Sequence, residues 1–114
     1  MRVGDTTMST IEWALSAESE RQRVTSNNIA NVNTPNFHSS RVDFESNLAE
    51  AMQSGGRTAP EVSTHQANTP KNINGNDVAL EEETQILNKS NLHYEALSSA
   101  LSLKFNVLRA AIGR

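Results

Sequence analysis

The last third of the chain constrains the fold most. Leu80, Thr84, Leu87, Asn91, Tyr94, Ser98, Leu101, Phe105, Leu108 and Ile112 recur at strictly alternating steps of four and three. That spacing is a heptad-like seam, sustained for too long to be chance, and it predicts one long helix over 78–113. No Gly or Pro interrupts it before Gly113. At ~1.5 Å per residue the helix would be about 50 Å long. Asp77 is placed to cap its start, and Glu81, Glu82 and Glu83 fall in the first turns, where the helix dipole favours anions. Lys104 and Arg109 lie toward the other end, and Lys89 projects away from the seam. Leu92, Ala96, Ala100, Leu103, Val107 and Ala110 form a second stripe on the opposite side. A helix with two apolar surfaces needs two neighbours. One is expected to be a helix from the N-terminal part, the other a second subunit.

The N-terminal part supplies such a helix. Ser9-Thr10-Ile11-Glu12 reads as a capping box, and no Gly or Pro follows before Ala30. The predicted helix is 9–30. Ile11, Leu15, Glu18, Gln22, Thr25 and Ile29 share one face; Trp13, Ala17 and Val24 lie on the other. An Asn-rich stop follows at 31–42. Asn competes for backbone groups in a helix interior, and Pro35 drives Thr34 out of the helical region. Asn36 tolerates positive φ, so Thr34-Pro35-Asn36-Phe37 reads as a turn. Phe44, Leu48 and Met52 mark a short helix over 43–53, ended by Gly55-Gly56. Pro60, Pro70 and Asn74-Gly75 punctuate 54–77, which reads as loop with at most short strands. The expected fold is mainly α, a single domain over 1–114. Its terminal helices pair as a coiled-coil-like hairpin around a polar middle.

Composition narrows the function. Leu, Ile, Val and Phe number 24 of 114 residues, against 35 for Ser, Thr and Asn. So polar a chain buries too little apolar surface to offset its conformational entropy alone. Partners, copies of itself or only partial folding are expected. The net charge of −3 argues against nucleic acid, which requires a basic face. There is no cysteine, and His38, His65 and His93 lie in separate segments without metal-ligand spacing. No glycine-rich phosphate loop is present, so neither catalysis nor a metal, cofactor or small-molecule substrate is expected. No run of apolar residues is long enough for a membrane span, and Met1 to Thr10 has no secretory-type apolar core.

Asn28-Ile29-Ala30-Asn31-Val32-Asn33-Thr34-Pro35-Asn36-Phe37 resembles the N-terminal signature of bacterial flagellar rod and hook proteins. The departure is Asn36, where that family usually has Gly; Asn is the next most tolerant residue for positive φ. Arg41-Val42-Asp43-Phe44, Gly75-Asn76-Asp77-Val78 and Asn91-Leu92-His93-Tyr94 are similar to segments of the short proximal rod proteins. The resemblance implies a non-enzymatic subunit of the basal-body rod, exported by the flagellar type III apparatus. Implied partners are copies of itself, other flagellar rod proteins, and the base of the basal body on its MS-ring, FliE and export-gate side. The residues implied to carry assembly are the signature Asn28, Ile29, Ala30, Asn31, Asn33, Thr34, Pro35, Asn36 and Phe37. With them go the packing residues Ile11, Leu15, Phe44, Leu80, Leu87, Tyr94, Leu101, Phe105, Leu108 and Ile112. Another short axial protein of the same superfamily, or a cytosolic helical export adaptor, would share the size and acidity.

Overall fold

Two long helices, α1 (Arg2–Ala30) and α3 (Leu80–Ile112), lie side by side and run antiparallel. Between them in sequence come β1 (Ser40–Asp43), α2 (Glu45–Gln53) and β2 (Ser63–Gln66). The computed structural model describes the backbone of residues 2–56 and 58–113, and side chains from residue 7 onward within those ranges. The molecule is a ribbon of 64 × 26 × 14 Å. It is mainly helical with long terminal helices, as the sequence predicts.

The helix α1 begins at Arg2, not at Ser9, so the capping-box residues lie inside it. Tertiary packing overrides the local cap here. Residues 7–11 are half-buried, so this stretch packs as part of the helix rather than standing at its end. Along α1 the buried line runs through Ala14, Ala17, Glu18, Val24, Thr25 and Asn28, between the two predicted stripes. Different neighbours meet its two sides. Ala17 and Val24 join Val42 and Phe44 in the apolar cluster, with Leu48 packed against it. Glu18 and Asn28 instead reach α3.

On α3 the face toward α1 passes through Glu83, Leu87, Ser90, Leu97, Leu101 and Lys104. It shares Leu87 and Leu101 with the predicted seam but is rotated toward Glu83 and Ser90. The reason is polar. Glu83 and Ser90 find partners on α1, while Thr84 turns its hydroxyl back to Leu80 O at 2.8 Å. Leu80 (48% exposed), Phe105 (49%), Leu108 (43%) and Ile112 (82%) are left uncovered. The helix starts at Leu80 with Ala79 as its N-cap; Asp77 does not cap it, because its carboxylate is taken by Ser39.

Phe44 precedes α2 rather than opening it, and its ring is core (3% exposed). Gly55 and Gly56, at φ +92° and +69°, end that helix, with Gly56 N–H bonded to Ala51 O. The two strands pair antiparallel, Ser40 opposite Gln66 and Asp43 opposite Ser63. The Asn74-Gly75 turn joins no strands. It packs on the signature turn, where Asn36 N–H donates to Asn74 O at 3.1 Å.

That turn closes as predicted from its sequence, with Phe37 N–H on Thr34 O at 3.3 Å and Asn36 at φ +62°. A Cβ on Gly75 (φ +82°) would lie 2.2 Å from Asn36 Oδ1, so the two positions are fitted to each other. Asn36→Gly should therefore be tolerated. Asn36→Val places a β-branched residue at positive φ, at a cost of roughly 1–3 kcal/mol. Swimming of cells carrying each variant checks this, and normal motility of the Val strain would sink the assignment.

Candidate functional site

The signature residues are the visible half of a buried polar clasp. Asn28, at the end of α1, is 1% exposed. Its amide accepts Ser40 N–H at 3.1 Å and donates to Ser40 O at 2.9 Å. An Asn amide has the donor and acceptor of a peptide group, so it pairs with β1 as another strand would. Its second N–H reaches Glu83 Oε1 on α3 at 2.6 Å. One side chain thus joins α1, β1 and α3.

Asn76, fully buried, performs the matching task from the far side. Its Nδ2 donates to Asn31 O at 2.8 Å and to Thr34 O at 2.6 Å, and its Oδ1 accepts Val78 N–H. Two carbonyls of the turn that follows α1 each gain a second donor from this one amide. Next to it, Asp77 accepts Ser39 N–H at 2.6 Å and Ser39 Oγ–H at 3.0 Å, and lies 3.1 Å from His38 Nδ1. Burial pushes the Asp77 carboxyl up, but the Ser39 N–H, His38 and the Ser39 hydroxyl together hold it below its ordinary value.

Glu83 is 0% exposed. Its Oε2 lies 2.6 Å from Arg41 Nη1, but off the hydrogen-bond direction, so proximity to charge alone compensates that oxygen. Arg41 also pairs with Glu82 at 3.0 Å. Of the three adjacent glutamates, two are therefore bound to β1, beyond any dipole role at the helix start.

A cleft of about 370 Å³ opens beside the clasp, between α1, the strands and α3. Arg21 crosses its wall. It stacks over the Phe44 ring at 4.7 Å, donates to both Glu45 oxygens at 2.8 and 2.9 Å, and reaches Val42 O at 2.7 Å. Those hydrogen bonds pull the Glu45 carboxyl down to about 2 against the opposing effect of burial. Glu18, 3% exposed, accepts Ser90 Oγ–H at 2.8 Å and lies 3.1 Å from His93 Nδ1. His65 faces Asp43 at 2.9 Å. The fold thus brings His65 and His93 to one cleft from segments that the sequence separates; His38 stays apart with Asp77. Among the described residues no group of three or more His, Asp or Glu side chains is placed to hold a metal.

The remaining signature residues are positional. Asn31 bonds back to Asn27 O at 2.8 Å and accepts the Thr34 hydroxyl at 3.0 Å. Ile29 and Phe37 are half-buried, while Ala30, Asn33 and Pro35 are exposed. Ile11, Leu15, Leu87 and Leu101 are half-buried along the helix pair, with Tyr94 39% exposed. Sequence reasoning missed Glu83, Arg41, Asn76 and Arg21. Arg41-Val42-Asp43-Phe44 and Gly75-Asn76-Asp77-Val78, singled out for their resemblance, pointed toward two of them without giving their roles. Lys89, which projects away from the seam, rims the cleft.

Arg41→Ala leaves Glu83 charged, buried and uncompensated, at a cost of about 3–5 kcal/mol. Adding Glu83→Gln removes the charge and should recover most of that loss in thermal unfolding followed by helical circular dichroism. A second outcome concerns pH. Glu45 and Asp77 sit below their ordinary values when folded, so both bind protons more readily unfolded. Their stabilisation is complete above the ordinary carboxylate range, roughly pH 5, and is lost as pH falls, for Glu45 toward about 2. Helical signal should decline across that window, and less steeply in Glu45→Gln.

Residues 5–38, spanning most of α1 and the signature turn, match the family described as flagella basal body rod protein. The chain is 31% identical over 119 residues to the flagellar basal body rod protein FlgB of Bacillus subtilis (strain 168), covering 93% of this chain and 92% of that one. It is 40% identical over 50 residues to FlgB of Yersinia enterocolitica, covering 44% of this chain and 36% of that one. A match over this share of both chains takes in the clasp, the strands and both helices, and the chain belongs to the FlgB branch of the flagellar basal body rod protein family.

Proposed function

We propose that this structural rod subunit joins its neighbours through the apolar faces that its helix pair leaves uncovered, at the proximal end of the rod. The observation that carries the reading is the exposure of α3. Leu92 is 66% exposed, Leu103 65% and Val107 58%, along the α3 stripe that also holds the exposed Ala96, Ala100 and Ala110. Apolar side chains in a continuous row at that exposure mark a contact surface. The outward side of α1, by contrast, presents Glu12, Ser16, Ser19, Arg23 and Ser26. The clasp fixes how the helices emerge from the strands, and so the angle at which that row is offered. Copies of the chain, other rod proteins and the base of the basal body on its MS-ring, FliE and export-gate side are the neighbours this reading supplies. The type III route is the matching means of delivery.

Leu103→Asp tests it. The side chain is exposed in the subunit, so helix pairing is unaffected, yet each assembled joint would bury an unpaired carboxylate at a cost of several kcal/mol. Rod formation and motility should be lost with the protein still made. Asn88→Asp, on an exposed polar position, is the control. Leu101→Asp is less selective, because Leu101 also faces α1. Equal motility of the Leu103 and Asn88 variants would show that this face is not an assembly contact.

A further inference from the structure

The helix pair has a side that carries the strands and a side that is bare. On α1, Ala17 and Val24 pack on Val42 and Phe44; on α3, Ile86, Lys89 and His93 line the cleft beside the strands. Helical spacing turns Met8, Ile11 and Leu15 of α1 to the other flank, and does the same for Tyr94, Ser98 and Phe105 of α3. The helices are antiparallel and Glu18 meets Ser90, so residues before Glu18 run beside residues after Ser90. The two sets therefore border one groove along the bare side. Met8, Ile11, Leu15 and Ser98 are half-buried, while Tyr94 is 39% and Phe105 49% exposed. The α3 row is covered by α1 on one edge and, among the described residues, open on the other. Heptad spacing suits a row with a helix on each side of it.

The chain also carries a helix that fits this groove. The ridge through Leu92, Ala96, Ala100, Leu103 and Val107 lies on a different side of α3, and its large members are more exposed than Tyr94 or Phe105. It is convex and apolar, and its two alanines let another helix approach closely. The margins differ in charge. Exposed Glu12 and Glu95 edge the groove beside Leu15 and Tyr94, with Arg109 at its far end, whereas Lys89 continues the ridge three residues before Leu92. A groove on one side and a ridge on another make a heterologous contact, which passes from copy to copy instead of closing on a symmetric pair. We propose that the α3 ridge of one copy lies in the α1–α3 groove of a second copy, so that three helices pack at each joint. This rests on the reading that the ridge is an assembly contact, and it names the surface that receives it.

The chain has no cysteine, so introduced thiols can map the joint. Cells would express two differently tagged copies. One carries a groove cysteine, Leu15→Cys; the other carries a ridge cysteine, Ala96→Cys, Ala100→Cys or Leu103→Cys. Tyr94→Cys is a second groove position, more exposed and so less disturbing to the helix pair. Purified basal bodies from swimming cells are oxidised. A disulfide-linked dimer carrying both tags is expected for at least one ridge position, and it should vanish when Ser16→Cys, on the outward side of α1, replaces the groove variants. The proposal is overturned if the ridge links only to another rod protein or only to the ridge of a second copy. It is equally overturned if no link forms although the ridge thiols in basal bodies are shielded from maleimide. Ridge thiols that react with maleimide as fast in basal bodies as in the free chain would instead overturn the reading of the ridge as an assembly contact, and this joint with it.

Discussion

The fold depends on one amide. Asn28 closes the end of α1 onto Ser40 as a strand would and holds Glu83 with its remaining N–H. No aliphatic side chain has that donor and acceptor pair, and an aspartate lacks the donor. The apolar cluster of Ala17, Val24, Val42 and Phe44 is small. A core of that size cannot by itself fix the rotation of two helices 29 and 33 residues long. Buried hydrogen bonds are directional and costly to leave unmade, so they set the rotation and register that the apolar contacts leave open.

This division of labour explains what the sequence disclosed. Long-range periodicity marked both terminal helices, and turn chemistry marked Asn36 at positive φ, because each is decided within a few neighbouring residues. The face by which α3 meets α1 was not legible in the same way. Apolar periodicity favoured Leu80, Asn91 and Phe105, yet the contact line follows Glu83 and Ser90, whose partners lie 55 and 72 residues away. Nothing local distinguishes Glu83 from Glu81 and Glu82. The cap expected at Ser9 is not where the helix starts, because α1 runs on to Arg2 and leaves Ser9 in its interior.

The clasp and the cleft share a plan. Both put charged or amide side chains where a larger protein would put leucines, and both use α3 residues to hold groups from α1 and the strands. Arg41 and Arg21 act as paired braces, one toward Glu83 and one toward Glu45, so that the short sheet is fixed from two sides. A subunit held by polar contacts keeps its orientation even where its apolar surface faces outward. That suits a building block whose faces must stay available to others.

The ribbon shape has a consequence in surface area. A compact monomer of 12.5 kDa exposes about 6,200 Å². This chain exposes 7632 Å². The difference, about 1,400 Å², is nearly what two standard protein interfaces remove from one partner, at roughly 800 Å² each. The subunit therefore carries, as bare surface, the burial that a globular protein of its size completes internally. Two neighbours of ordinary interface size would restore the deficit.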